Sequence, residues 1–176
     1  VGSEMCIRDR YGKAVEAHEH GVPMMRPMML EFPDDPACDT LDRQYMLGDS
    51  LLVAPIFRKD GEVQYYLPDG TWTSLLDGGK VEGGHWQTEI HDFMSLPLMV
   101  RPGTVLPLGA HDDRPDYDYL DGVELHVYQL ADGESETVEI PDTKGNVAAT
   151  FTVTMKDGQA QVETDSTKPY TVVVHQ

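Results

Sequence analysis

The sequence predicts a mostly β chain in which two small antiparallel β-sandwich-like domains follow one helix and one strand. Beyond Tyr45, short runs of β-branched and aromatic residues recur between turn signals such as Asp69-Gly70, a pattern typical of antiparallel sheets. Residues 150–155 alternate threonine with apolar side chains, which is the period of a strand with one buried face. Helical spacing of apolar residues disappears beyond Tyr45.

The chain begins with one predicted helix and one predicted strand. Small or apolar residues recur over 11–20 at i, i+3, i+4 and i+7, and Gly21 and Pro23 then end the helix. Residues 22–32 are almost continuously apolar, which predicts a strand that is buried on both faces. Prolines and acidic residues over 32–42 predict a loop. The helical positions are Tyr11, Ala14, Val15 and His18.

Two groups of strands follow this start. The acidic stretch 112–121, which surrounds Pro115, predicts a boundary between the two β-domains. Beyond it the alternation of Val123, Leu125 and Val127 and the run 170–174 predict further strands. The strands predicted before it are 51–57, 63–67, 94–100 and 105–108.

Composition excludes several classes of function. The chain has 31 acidic and 13 basic residues and a formal charge of −18, so it repels phosphate backbones and anionic lipid headgroups. We therefore expect neither nucleic acid nor a membrane as partner, and apolar runs such as 50–57 are too short to span a bilayer. Cys6 and Cys38 fit neither a zinc site nor a disulfide framework, so we expect a cytoplasmic location.

The histidines and the acidic stretch do not predict a metal site. His18 and His20 would point about 200° apart on a helix, so they cannot bind one metal together. The acidic stretch 112–121 offers many oxygens but lacks the order of an EF-hand loop, and a solvated linker is the favoured interpretation. We predict no metal and no cofactor. His85, His91 and His111 are expected to be ordinary surface histidines.

Aromatic residues suggest a binding surface as an alternative to a core. Exposed, these side chains could form a platform on which sugars stack, whereas the alternation around them favours burial, and we expect most of them in the core. The four residues are Tyr65, Tyr66, Trp72 and Trp86.

Four spaced motifs carry a family resemblance. They are Met25-Arg26-Pro27, the stretch 41–55 (LDRQYMLGDSLLVAP), Tyr66-Leu67-Pro68-Asp69-Gly70-Thr71-Trp72 and the stretch 96–109 (LPLMVRPGTVLPLG). In this order they resemble the carboxyl-terminal portion of glycoside hydrolase family 31. The wording EFPDDPAC at 31–38, followed by LDRQYM at 41–46, resembles the α-xylosidase branch more than the α-glucosidase branch.

The resemblance implies a domain plan. Residues 1–10 do not continue the family pattern and are interpreted as a non-native leader. Residues 11–44 would be the last helix and strand of a truncated (β/α)₈ barrel that forms the catalytic domain. Residues 45–110 and 111–176 would be the proximal and distal carboxyl-terminal β-domains.

The resemblance also implies an activity. The parent enzyme would be a retaining glycosidase that removes terminal α-linked xylose from an α-xyloside or other oligosaccharide, without a cofactor. The family's two catalytic aspartates belong to barrel segments outside these residues, so we predict no catalytic residue here and an inactive fragment. A homo-oligomeric parent is left open. An α-glucosidase of the same family is one alternative, and an independent carbohydrate-binding or interaction module is another.

A few charged residues have predicted roles near the barrel strand. Arg26 is a candidate for lining the active site, because such sites gather at the carboxyl ends of barrel strands, although a buried ion pair is the favoured interpretation. Asp34 and Asp35 are expected to be turn formers rather than catalysts. Asp42 and Arg43 are predicted to fix the interface between barrel and β-domain, and Asp49 to accept hydrogen bonds in a turn.

Overall fold

The computed structural model of the chain describes residues 7–111 and 117–176, without the side chains of residues 7–10. These residues fall into two units. The first unit is Pro23–Pro102, and the second combines the amino-terminal helix with Gly103–Gln176. No helix in the described part of the chain is long and apolar enough to cross a membrane.

The first unit is built from two antiparallel sheets. Its strands are β1 (Met25–Arg26), β2 (Tyr45–Leu47), β3 (Leu51–Val53), β4 (Glu62–Leu67), β5 (Thr71–Ser74), β6 (Lys80–Glu82), β7 (His85–Ile90) and β8 (Leu98–Val100). The larger sheet has the order β1-β2-β3-β8-β5-β6 in the described residues, and the smaller one pairs β4 with β7.

Both sheets of the first unit contribute to one apolar core. Strand β4 turns Val63, Tyr65 and Leu67 inward and leaves Gln64 exposed, as the two-residue period of a strand requires. Trp72 of β5 is fully buried in the same cluster. The larger sheet adds Met46, Leu52 and Met99 to it.

The predicted buried strand over 22–32 is largely wrong. Only Met25–Arg26 pairs as a strand, and after Pro27 the chain forms one helical turn, α2 (Met28–Glu31). A 3₁₀ turn, Pro36–Thr40, then occupies the predicted loop. The physical reason is that Pro27 lacks the N–H that a ladder needs, and its fixed φ of −61° suits the start of a helix.

The second unit contains the helix α1 (Ile7–His20) and two further sheets. The predicted helix over 11–20 is thus confirmed, with an earlier start. The strands of these sheets are β9 (Thr104–Leu108), β10 (Val123–Tyr128), β11 (Ser135–Pro141), β12 (Val147–Lys156), β13 (Gln159–Thr164) and β14 (Tyr170–His175). One sheet has the order β14-β10-β9 and the other β11-β12-β13.

The core of the second unit lies between these sheets and under α1. Phe151, Val153 and Met155 of β12 are buried, while the threonines between them are half-buried, as the alternation predicted. From α1, Tyr11 packs on Tyr119 with ring centroids 5.4 Å apart. The mostly antiparallel β architecture is therefore confirmed, although β10 and β14 form a parallel pair.

The contacts divide the chain differently from the predicted domain plan. The division falls between Pro102 and Gly103, so β9 belongs to the second unit, because it pairs with β10. Helix α1 also belongs to the second unit, where it contacts β9 and β11. The boundaries at 44 and 110, and the barrel origin of residues 11–44, stay predictions.

Candidate functional site

Arg26 is held in place by a charged network inside the first unit. Its side chain is only 4% exposed, and its Nε donates a 2.9 Å hydrogen bond to the carbonyl oxygen of Pro23. Its Nη1 donates to Oε1 of Glu31 at 2.8 Å. This contact exists because the helical turn α2 brings Glu31 back beside β1.

Glu31 has a second cationic partner. Nη1 of Arg101 lies 3.2 Å from its other carboxylate oxygen and 3.3 Å from the carbonyl oxygen of Asp49. The Arg101 guanidinium also sits 4.5 Å from the centroid of the Phe32 ring, within cation–π range. The network thus joins β1, α2 and the ends of β2 and β8, and it makes Arg26 a buried ion-pair partner. Its role in lining an active site stays a prediction.

A shallow cleft of about 510 Å³ opens beside Arg26. Asp42 and Arg43, the residues predicted to form an interface, lie on its wall together with exposed apolar groups. Gln44 turns away to hold β4, because its side chain both donates to and accepts from the backbone of Tyr66, at 2.8 and 2.7 Å. The apolar lining residues are Met25, Pro27, Leu41, Tyr45, Pro55 and Phe57.

The acidic residues near this cleft have structural partners. Asp35 accepts from the backbone N–H of Ala37 at 3.0 Å and from the Tyr66 hydroxyl at 3.0 Å. It therefore caps the 3₁₀ turn, as expected of a turn former, and its neighbour Asp34 is exposed. Asp49 accepts from the Ser50 hydroxyl at 2.6 Å, and its acceptance of backbone hydrogen bonds in the turn stays a prediction.

The histidines are scattered through the structure. His85 contacts the carbonyl oxygen of Gly83 at 2.9 Å, and Nε2 of His91 lies 2.7 Å from Glu89. His18 and His20 are exposed on the last turn of α1, and His111 packs on Tyr117. Within residues 7–111 and 117–176, no three of the His, Cys, Asp and Glu side chains are grouped to hold a metal ion. The predicted linker Asp112–Asp121 lies partly outside these residues.

Cys38 is a buried thiol beside two carboxylates. Burial raises its pKa to about 11, and the negative charges of Asp35 and Asp39 add to this effect. The thiolate is the reactive form of cysteine, so the side chain is a packing group rather than a nucleophile.

The aromatic candidates divide into core and surface. Trp72 is buried and its indole N–H donates to the Pro68 carbonyl at 2.8 Å, while the buried Tyr65 donates to Glu89 at 2.5 Å. Tyr66 is also buried. Trp86 differs, because 58% of its surface is exposed. In the register of the sheet its neighbours His85 and Gln87 pair with the inward-facing Leu67 and Tyr65, so Trp86 itself lies on the other face of β7.

Two regions of the chain match described protein domains. Residues 21–106 match the Glycosyl hydrolase family 31 C-terminal domain. Residues 118–176 match the C-terminal domain of the alpha-xylosidase YicI. Together the two matches include most of both structural units.

Three curated relatives show the same pattern. An alpha-xylosidase of Emericella nidulans is 42% identical over 161 residues, which are 86% of this chain and 20% of the relative. Alpha-xylosidase XylQ of Lactiplantibacillus pentosus is 37% identical over 164 residues, 91% of this chain and 21% of the relative. Alpha-glucosidase 2 of Bacillus thermoamyloliquefaciens is 31% identical over 136 residues, 75% of this chain and 17% of the relative.

A solved structure shares the fold. The GH31 dextranase of Flavobacterium johnsoniae, complexed with glucose, superimposes with a TM-score of 0.78 at 22% identity, over 90% of this chain and 21% of that one. The chain thus spans about a fifth of the length of the relatives it matches. From these matches, and from the motifs at Arg26, 41–55, 66–72 and 96–109, the chain belongs to glycoside hydrolase family 31 and corresponds to its carboxyl-terminal domains.

Proposed function

We propose that the chain is the carboxyl-terminal part of a retaining α-glycosidase that removes terminal α-linked xylose. The observation that carries this proposal is the α-xylosidase domain match over residues 118–176, supported by the 42% identical alpha-xylosidase. The sequences EFPDDPAC at 31–38 and LDRQYM at 41–46 support the same α-xylosidase branch of the family.

The proposed reaction needs two carboxyl groups about 5 to 5.5 Å apart. One attacks the sugar and forms a covalent glycosyl-enzyme, and the other protonates the leaving group and then activates water. In this chain the carboxylates of Glu31, Asp35 and Glu89 bind Arg26, Tyr66 and Tyr65 respectively. These contacts are structural, and the family resemblance supports the proposal that the catalytic pair belongs to barrel segments of the parent outside these residues.

The chain would then support the catalytic domain rather than perform the chemistry. The cleft beside Arg26 presents apolar side chains such as Met25 and Phe57 to its surroundings. A catalytic barrel packed there would bury them, and Asp42 and Arg43 would fix its orientation. The oligosaccharide substrate, the oligomeric state and the cytoplasmic location of the parent also stay proposals.

An α-glucosidase is the second candidate, because an alpha-glucosidase is 31% identical over three quarters of the chain. Xylose lacks the hydroxymethyl group of glucose, and a pocket that fits xylose excludes the larger sugar by contact.

The test compares the kcat/KM of the longer gene product for para-nitrophenyl α-xyloside and α-glucoside. We expect at least a tenfold preference for the xyloside, about 1.4 kcal/mol in transition-state binding. A preference for the glucoside would replace the proposal by its alternative, and inactivity on both with activity on a different α-linked sugar would reject both.

A further inference from the structure

The outward face of the two-stranded sheet carries an exposed tryptophan beside the polar side chains of Gln64 and Thr88, with the exposed Ile90 at the end of the same face. In the register of β4 and β7, Tyr66 lies opposite Trp86, and Gln64 lies opposite Thr88. Gln64, Trp86 and Thr88 lie on the face opposite Tyr65 and Leu67, which point into the core, whereas Tyr66 is buried and belongs to the core cluster. Gln64, Trp86 and Thr88 are all exposed.

The tryptophan rests on a fixed support. Its ring is tilted on the ring of Tyr66 with centroids 5.9 Å apart, and Tyr66 is only 8% exposed. The Tyr66 hydroxyl donates to Asp35, and the side chain of Gln44 hydrogen-bonds both the N–H and the carbonyl oxygen of Tyr66. A ligand that stacks on Trp86 would therefore lose little affinity to the ordering of the side chain.

The chemistry of this face selects a class of ligand. An aromatic ring stacks on the C–H face of a pyranose or on a nucleobase, and adjacent amide and hydroxyl groups hydrogen-bond the hydroxyls of a sugar. The charge of −18 repels a nucleic acid, and the carboxylates of Asp35 and Glu62 near this face disfavour other anions. A neutral, hydroxyl-rich molecule is not repelled by these negative charges.

We propose that the outward face of β4 and β7, centred on Trp86 with Gln64 and Thr88 beside it, binds a neutral oligosaccharide by stacking. The proposed function does not use this face, so either proposal can fail without the other. The probes are a cello-oligosaccharide substituted with α-linked xylose, an unsubstituted cello-oligosaccharide and a malto-oligosaccharide.

The chain contains an internal control for the test. Of its two tryptophans, Trp72 is buried and hydrogen-bonded to Pro68, whereas Trp86 is exposed. A heteronuclear NMR spectrum of the chain therefore contains two indole N–H signals, and the variant Trp86→Phe identifies the exposed one by its disappearance. We expect a saturable shift of the Trp86 signal on titration with at least one probe, and a stationary Trp72 signal.

Variants separate this surface from its neighbours. Trp86→Ala should reduce affinity by at least about tenfold, as is usual for an aromatic anchor. Phe93→Ala removes another fully exposed aromatic and should leave affinity unchanged. A stationary Trp86 signal at tens of millimolar of every probe would overturn the proposal. Equal affinity of the Trp86→Ala variant for the probes would also overturn it. A change in the Trp86 signal that depends on protein concentration and not on probe concentration would overturn it too, because it would indicate contact with a second copy of the chain.

Discussion

At the scale of single residues, Glu31 organises the charged side chains of the first unit. Its carboxylate is 13% exposed and contacts Arg26 on one oxygen and Arg101 on the other. A buried pair of this kind adds little net stability over apolar packing, but the loss of one partner leaves a charge that water does not solvate. The network is therefore best tested by removing one of its members.

Replacement of Arg26 by methionine should lower the free energy of unfolding by about 3 kcal/mol, because the largely buried Glu31 loses its ion pair with Arg26. The loss is not larger because Glu31 keeps Arg101 as a cationic partner. Urea unfolding followed by tryptophan fluorescence measures this, since both tryptophans lie in the first unit. The matched control is Arg58→Met, which removes an exposed pair with Asp60 and should leave the urea midpoint unchanged. Equal effects of the two substitutions on the urea midpoint would show that the Arg26 network contributes no more to stability than an exposed ion pair.

The thiol of Cys38 predicts a dependence of stability on alkaline pH. Its folded pKa of about 11 lies above the ordinary value of 9.0, so the folded chain keeps the thiol proton to higher pH than the unfolded chain does. The stabilisation is complete below about pH 9 and is lost as the pH rises towards 11.

The measurement is urea unfolding at several pH values between about 8 and 10.5, in a Cys6→Ser background with and without Cys38→Ala. The fall in stability over this range should be smaller in the variant that lacks Cys38. In the native chain at pH 8, we also expect slow reaction of Cys38 with a thiol reagent and fast reaction in urea. Parallel pH profiles, or a rapidly reacting native thiol, would contradict the burial of this side chain.

At the scale of elements, the turn between β6 and β7 depends on a close backbone approach at Gly83. A Cβ added there would lie 1.9 Å from the carbonyl oxygen of Pro68, and the Gly83 N–H donates to the Gly70 carbonyl at 2.8 Å. The approach brings the β6–β7 turn against the β4–β5 turn, next to the strand that carries Trp86.

Gly83→Ala should therefore destabilise the first unit by more than about 2 kcal/mol, because backbone must move to admit the methyl group. Gly78→Ala provides the comparison, since Gly78 has a φ of +75° and open space around its Cβ position. Its cost should be limited to backbone strain, about 1 kcal/mol. Thermal unfolding by circular dichroism ranks the two, and a smaller effect at Gly83 would contradict the approach seen at this turn.

Strands with a two-residue period could be predicted from the sequence, and the segment 22–32 could not. In β4 the buried Val63 and Tyr65 flank the exposed Gln64, so period and burial agree there, whereas Tyr66 is buried beside Leu67 and departs from the period. Residues 22–32 are almost uniformly apolar and carry no such period, and the helical turn there depends on Pro27 and on the pairing of Glu31 with two arginines. The exposure of Trp86 was missed because a large aromatic in a strand is expected to be buried.

At the scale of the whole molecule, two units with separate apolar cores correspond to family 31 carboxyl-terminal domains. The strongly acidic composition of the chain repels phosphate backbones but does not indicate catalysis, which depends on specific groups in a site. We propose that these 176 residues support a glycosidase without supplying its catalytic carboxylates.

The most direct test measures the release of para-nitrophenol from the α-xyloside by this chain and by the longer gene product at equal concentration. We expect turnover by the longer protein alone, and no rate above that of the buffer for the chain even at high concentration. Turnover by the chain that is abolished by replacing one of its own carboxylates, such as Asp34→Asn or Asp35→Asn, would contradict it and would place the catalytic pair within these residues.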